Sequence, residues 1–328
     1  MQIMTKSLII GVCGQIGSYL ADKLLSLGHQ VYGISRHVDV TIDPLITLYI
    51  MDINDHFKLT TIVTEIRPDE IYHLSSPTNI NETIADPIMT YQTNIISLTH
   101  LCETIKSLSP YAPKLFTTNS SETFRGNITE EQLVYTFDEQ HLNFSPISPY
   151  GVSKVSAYWL IRYYRESYHL PFWTGFLCNV ISPRLRDAYL IPKIIKHVKE
   201  QSDYILHIGN IDLEKDFSHA SDIVDGILTV MHNDPEDISD YVISSGQSYS
   251  LRSLIEYIYQ EKNIHIRWDK SNGYDAITGR ELIVSDPLLC RKYEKSGEKI
   301  IGNNSKLLSV GWMPKHTIQS LIHEMYTK

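Results

Sequence analysis

The segment Gly11-Val12-Cys13-Gly14-Gln15-Ile16-Gly17 constrains this chain more than any other. It follows an apolar run at residues 7–12 and opens a helical pattern at 17–27 that Gly28 closes. A strand running into a glycine-punctuated turn and then a helix is the first unit of a parallel βαβ sheet. The glycines permit a tight turn and let backbone amides and a helix N-terminus approach a pyrophosphate. Glycines also cap and kink loops for structural reasons alone. Their place behind the first strand is what favours a ligand-binding role here.

The alternation continues downstream. Residues 30–35, 46–51, 70–74, 114–118 and 172–179 read as further strands, and helical periodicity occupies 57–66, about 87–108, and 150–169. Beyond Ser182 the regularity is lost to prolines, short strands and the polar stretch 269–279. The expected fold is α/β, a Rossmann-type doubly wound parallel sheet with a second, smaller α/β substrate domain. The first domain is expected over residues 1–180, with a returning segment at about 209–235, and the second over the remaining segments of 181–328.

The end of the second strand bears on the cofactor. An acid there would hold the ribose 2′-hydroxyl of NAD, whereas an arginine accommodates the 2′-phosphate of NADP. The chain reads Gly33-Ile34-Ser35-Arg36-His37, with no acid before Asp39, which favours NADP. Asp52, just past the third strand, is placed either to meet the adenine amino group or to serve as a plain turn residue.

Composition narrows the partners. A formal net charge of -9 argues against a nucleic-acid-binding body, although a few placed cations can still dominate an anion pocket. No apolar run reaches the roughly 18 residues of a bilayer span. The residues before the first strand are too few for a signal peptide. Cys13, Cys102, Cys178 and Cys290 are far apart, with no CxxC pair, so neither a metal site nor a disulfide framework is expected, and a cytoplasmic setting fits.

Tyr150-Gly151-Val152-Ser153-Lys154 sets a tyrosine and a lysine four apart at the start of a helix, on one face. A tyrosine of ordinary pKa is a poor base at neutral pH, and a nearby ammonium favours its phenolate. The same lysine can hold ribose hydroxyls of the cofactor. With 21 tyrosines in the chain, YxxxK alone would arise by chance. It follows by about thirty residues a strand ending in Ser120-Ser121-Glu122, which brings hydroxyls to the phenol. Glu122 adds what a plain reductase or epimerase does not need. A carboxylate there can remove a carbon-bound proton beside a ketone and return it to a leaving hydroxyl.

Several ordered segments resemble the GDP-mannose 4,6-dehydratases, a branch of the extended short-chain dehydrogenases. They are GVCGQIGSYLADKLL (11–25), PDEIYHL (68–74), Ser120 to Glu122, SPYGVSKVSAYW (148–159) and Asn179 with Ser182-Pro183-Arg184. GNIDLEKDFSHASD (209–222), GYDAITG (273–279) and Gly311-Trp312 complete the set. The six-residue GxxGxxG spacing also suits short-chain dehydrogenases. The resemblance implies an NADP enzyme that converts GDP-mannose to the GDP-4-keto-6-deoxy sugar.

Carried over residue by residue, the resemblance implies Ser120 (usually threonine in the family), Glu122, Tyr150 and Lys154 as catalytic. With the readings above, the expected cofactor site comprises Gly11, Gly14, Gln15, Ile16, Gly17, Arg36, Asp52, Ile53, Leu74, Tyr150 and Lys154. Expected contacts to the sugar nucleotide are Thr78, Ser120, Glu122, Asn179, Lys193, Lys215 and Arg291. Lys215 replaces a usual arginine, trading a planar fork for a point charge. The stretch after Arg36 is shorter than in the family, so either a homodimer or a homotetramer is expected. Ile181 and Leu185 replace a charged pair and Asn79 a usual histidine, which leaves room for another sugar. Alternatives of the same fold are a dehydratase acting on a UDP- or dTDP-hexose, an epimerase and a keto-sugar reductase. Glu122 speaks against the last two. A non-enzymatic NADP-binding protein of this fold would commonly lack the intact Tyr–Lys pair.

Overall fold

Leu8, Ile9 and Ile10 are wholly buried, and their alternation organises the first layer of the molecule. Ile9 joins one apolar cluster with Leu20, Leu24, Ile223 and Ile227. Leu8 and Ile10 join another with Leu59, Val63, Leu101 and Ile161. Successive strand side chains point to opposite faces, so a strand apolar at every position must be covered on both. Each such side chain, fully buried, contributes about 1.5–3 kcal/mol.

The computed structural model describes residues 4–37, 42–200, 204–233, 238–291 and 293–328; Asp39 lies outside them. The first layer is a seven-stranded sheet in the order Asp240–Ile243, Phe172–Leu177, Lys114–Ser120, Glu70–His73, Lys6–Ile10, Gln30–Ser35, Thr47–Ile50. Every pairing in it is parallel. Strand order reverses between Lys6–Ile10 and Glu70–His73, and the crevice outside the strand ends at such a switch point is where open α/β sheets bind ligands.

Two further sheets form the second layer. One runs Ser248–Ser250, Glu214–His219, Lys299–Gly302, Val134–Phe137, with Asn179–Ile181 paired to Glu214–His219. The other runs Ile266–Asp269, Asn272–Asp275, Glu281–Ser285, Leu206–Ile208. Ile194, Leu254, Ile255, Ile258, Ile283 and Ile322 build their core.

Several boundaries differ from the sequence pattern. The first strand stops at Ile10 rather than at residue 12, because Gly11 takes φ +93° and turns the chain. The strand expected over 172–179 divides at Cys178 between the main sheet and the second layer. The helix expected over 87–108 contains a π turn, Gln92–Ile96, between Pro87–Tyr91 and Ser97–Ser107. The helix Ala220–His232 returns to pack in the main-sheet cluster beside Gln15–Ser26. Strand Asp240–Ile243, Leu307 and Trp312, all beyond residue 235, also belong to the first layer. Val134–Phe137, by contrast, leaves the first half of the chain for the second layer.

Candidate active site

The glycine turn leaves no room for side chains. A Cβ on Gly11 would lie 2.9 Å from the Ser75 amide nitrogen, and one on Gly17 would lie 2.2 Å from the Gly11 carbonyl oxygen. The helix Gln15–Ser26 begins at Gly14 with no side-chain cap and no acid in its first turn. Its first amides and positive dipole end therefore stay available to an anion. The Gln15 amide meets the Ser182 hydroxyl at 2.8 Å, which ties the turn to the segment entering the second layer. Ile16 packs against the main core, Ile53 is buried, and the Leu74 amide donates to the Ile10 carbonyl at 2.9 Å. Arg36 is exposed just past Gln30–Ser35 and makes no ion pair among the described residues. Asp52 is also exposed and accepts from the Asn54 amide at 2.9 Å, a turn geometry that leaves one carboxylate oxygen available.

The neighbouring strand end carries the chemistry. Lys114–Ser120 finishes in a 3₁₀ turn, Ser121–Asn127, capped by the Ser120 hydroxyl, which accepts from the Glu122 amide at 3.2 Å. The helix Pro149–Tyr168 starts on the Ser148 cap with proline in its first turn. Tyr150 and Lys154 thus stand one turn apart, both buried. The Lys154 ammonium donates to the Thr118 carbonyl at 3.0 Å and lies 5.7 Å from the Tyr150 ring centre. Asn119 donates to the Lys154 carbonyl at 3.0 Å, fixing strand end and helix together. The π turn contributes Asn94, which donates to the Ser153 hydroxyl at 2.9 Å; that hydroxyl donates to the Tyr150 carbonyl at 2.7 Å.

Burial governs the electrostatics. It brings the Lys154 ammonium down to about 8. Burial also raises the Tyr150 phenol well above its ordinary value; hydrogen bonds from Ser120 and Ser76 oppose the rise, while Glu122 and Tyr189 add to it. His73, at the adjacent strand end, is held down to about 3 by burial and by the Lys154 charge.

The second layer supplies the facing wall. Burial lowers the Lys215 ammonium, while the Glu122 carboxylate opposes that fall and Arg125 and Arg291 add to it. Arg291 lies 3.7 Å from the Glu294 carboxylate. Asn179 donates to the Asp216 carbonyl at 3.2 Å, where Asn179–Ile181 meets Glu214–His219. Thr78 and Tyr189 share a hydroxyl hydrogen bond of 2.7 Å across the cleft. Lys193 is exposed on Leu190–Lys199, one turn past Tyr189, with no ion pair among the described residues. Asn79 accepts from the Asn81 amide at 3.1 Å and caps the helix Ile80–Ala85.

A sequence profile of the family described as GDP-mannose 4,6 dehydratase matches residues 8–325. The chain belongs to that family. The GDP-mannose 4,6-dehydratase of Vibrio cholerae is 30% identical, with 98% of this chain and 92% of that protein aligned. The GDP-mannose 4,6 dehydratase of Dictyostelium discoideum is 29% identical, over 98% and 95%. The crystal structure of UDP-glucose 4-epimerase from Thermotoga maritima superposes with TM-score 0.82 at 20% identity over 98% of each chain. At that identity the likeness speaks to fold alone.

Against this family background, Ser120, Glu122, Tyr150 and Lys154 are brought together around one cleft, with Lys215 and Arg291 opposite. Arg36, Asp52 and Lys193 are exposed. Sequence reasoning did not single out Ser76, Asn94, Asn119, Arg125, Tyr189 or Tyr293. The seryl pair Ser75-Ser76 behind a buried strand end was a usable signal for Ser76. The other five are marked by nothing local.

Proposed function

We propose that the chain is an NADP-dependent 4,6-dehydratase that converts GDP-mannose, or a closely related GDP-sugar, to the GDP-4-keto-6-deoxy sugar. The observation that carries this reading is Glu122. Its Oε2 atom is buried without a hydrogen-bond partner among the described residues, two positions from the Ser120 hydroxyl that faces Tyr150. An unpaired buried carboxylate oxygen costs on the order of 1–3 kcal/mol or more, so a substrate proton is its natural partner.

The side-chain-free glycine turn and the uncapped helix Gln15–Ser26 fit a pyrophosphate, and Arg36 fits a 2′-phosphate. Gly11, Gly14, Gly17, Gln15, Ile16, Ile53 and Leu74 would line that cofactor, with Arg36, Asp52, Tyr150 and Lys154 making its polar contacts. When bound, NADP supplies the acceptor for the sugar C4 hydride and the donor that returns it to C6. Ser120 hydrogen-bonds the sugar O4, and Tyr150 takes the O4 proton. The phenol starts high, and Lys154 is the cation at hand to favour its phenolate. The C4 ketone acidifies the C5 proton, which Glu122 removes. The C5–H electron pair becomes the C5–C6 double bond as the C6–O bond breaks, and Glu122 protonates the departing oxygen to give water. Once C6 regains hydride, the enolate takes at C5 the proton that Tyr150 received from O4, which restores the phenolate. Lys215 and Arg291 hold the diphosphate, while Thr78, Asn179 and Lys193 complete the nucleotide-sugar contacts.

A homo-oligomer in a reducing cytoplasm fits the same reading. Ile88 is 69% exposed and Trp159 52% on two neighbouring helices, apolar surface that a second copy would cover. All four cysteines are free, and no helix of the described residues is long and apolar enough to cross a membrane. The test is mass-spectrometric detection of water loss from a panel of GDP-, UDP- and dTDP-hexoses. Water loss from GDP-mannose is expected. Turnover restricted to UDP or dTDP sugars would overturn the nucleotide, and no water loss from any would overturn the reaction.

A further inference from the structure

Among the described residues, two buried polar atoms in the cleft lack hydrogen-bond partners, and they come from opposite walls. One is the Glu122 Oε2 on the turn Ser121–Asn127; the other is the Tyr293 hydroxyl on the segment following Arg291. Three contacts dock these two segments on each other. Arg125, three residues beyond Glu122, forms a buried ion pair with Glu298. The Arg125 guanidinium carbon lies 5.7 Å from the Tyr293 ring centre, and Lys295 donates to the Ile128 carbonyl at 3.4 Å. The Glu294 amide donates to the Arg291 carbonyl at 3.0 Å and the Arg291 amide to the Glu294 carboxylate at 3.2 Å. Burial raises the Tyr293 phenol above its ordinary value, and Arg291, Glu122 and Arg125 all stand near enough to act on it.

The two orphan atoms are chemically complementary. An ionised carboxylate only accepts hydrogen bonds, and a phenol at neutral pH has a proton to donate. They stand near enough for the Glu122 charge to act on the Tyr293 phenol yet do not hydrogen-bond each other. A group that joins them must accept from Tyr293 and donate to Glu122, and a hydroxyl does both. A phosphate oxygen does only the first.

We propose that Tyr293 is a further catalytic residue, donating a hydrogen bond to the same sugar hydroxyl that Glu122 serves, the one that leaves from C6. This rests on the dehydratase reading above. Tyr293 keeps its proton throughout. It stabilises the charge that gathers on O6 as the C6–O bond breaks, while Glu122 delivers the proton that completes water. Lys215 and Arg291 remain with the diphosphate.

Tyr293→Phe removes the hydroxyl and leaves the ring over Arg125. Its steady-state turnover of GDP-mannose is measured with excess NADP, together with the absorbance of reduced nicotinamide on the enzyme. A hydrogen bond to a developing charge corresponds to a loss of about 10- to 100-fold in kcat. KM is expected to stay within about 3-fold, and reduced nicotinamide should accumulate because oxidation at C4 precedes the impaired step. Unchanged kcat overturns the proposal. So does a raised KM with unchanged kcat, since that would make Tyr293 a binding or docking residue. Wild-type enzyme run alongside separates the two readings. Water loss by the wild type with an unaffected variant rejects Tyr293 alone, whereas no water loss by the wild type rejects the dehydratase reading with it.

Discussion

Replacing Glu122 by glutamine removes a proton-transferring group and the negative charge that acts on Lys215, and leaves the backbone contacts of its turn in place. The turn that carries it is held by the Glu122 amide on the Ser120 hydroxyl at 3.2 Å and by the Thr123 hydroxyl on the Ser120 carbonyl at 2.7 Å. Neither bond involves the carboxylate. Its Oε2 has no partner among the described residues, so the uncharged amide forfeits no internal hydrogen bond at that atom, and stability is expected to match the wild type within about 1 kcal/mol. Catalysis is a different matter. General acid–base groups contribute roughly 10²–10⁴-fold, and Glu122 serves twice in one elimination, at C5 and at O6. Formation of the 4-keto-6-deoxy product should fall by at least about 10²-fold, equivalent to roughly 3 kcal/mol of barrier. Oxidation at C4 relies on Ser120, Tyr150 and Lys154 and should survive. The assay follows water loss by mass spectrometry and deuterium uptake at C5 in heavy water, with reduced nicotinamide read by absorbance. Uptake at C5 should vanish while reduced nicotinamide builds up. Product formation close to the wild-type rate would refute the assignment of Glu122 as the acid–base group.

Arg36→Ala should weaken NADP by about 10- to 100-fold, the worth of a charge-assisted contact, while NAD binding changes little; titration with each dinucleotide decides it, and equal weakening would count against a 2′-phosphate at Arg36. Arg291→Ala should raise the KM for the nucleotide sugar strongly and leave NADP binding unaltered, so a loss of NADP binding would place this arginine in the other site. His73 carries a pH signature. Its folded pKa, about 3, lies below the ordinary 6.5, so the unfolded chain binds the extra proton between those values, and the stabilisation present above pH 6.5 is lost as pH falls toward 3. Near pH 4.5 the loss from this residue is roughly 3 kcal/mol. Urea unfolding at pH 7 and near pH 4.5 should show His73→Gln losing correspondingly less than wild type, and an identical loss would contradict the assignment.

The glycine turn, the Tyr150–Lys154 spacing and the Ser120–Glu122 strand end could be read directly because each depends on a few adjacent residues. A turn, one helical period and one strand terminus are local geometries, and residue type dictates them. The same holds for Lys6–Ile10, where apolar residues throughout demand cover on both faces. Asp240–Ile243 is four residues long, too short for periodicity to mark, and it becomes the seventh strand only because Phe172–Leu177 presents an edge to it. The π turn at Gln92–Ile96 lies inside an ordinary helical pattern, yet it delivers Asn94 to Ser153. Burial brings the Lys154 ammonium down to about 8 and the Thr118 carbonyl accepts from it, and both effects arise from packing. Tyr293 reaches the cleft through Arg125–Glu298 and Lys295–Ile128, partners 173 and 167 positions apart. Sequence spacing carries local backbone preference. Which distant segments meet, and which buried groups are left wanting a partner, is set by close packing of the two layers.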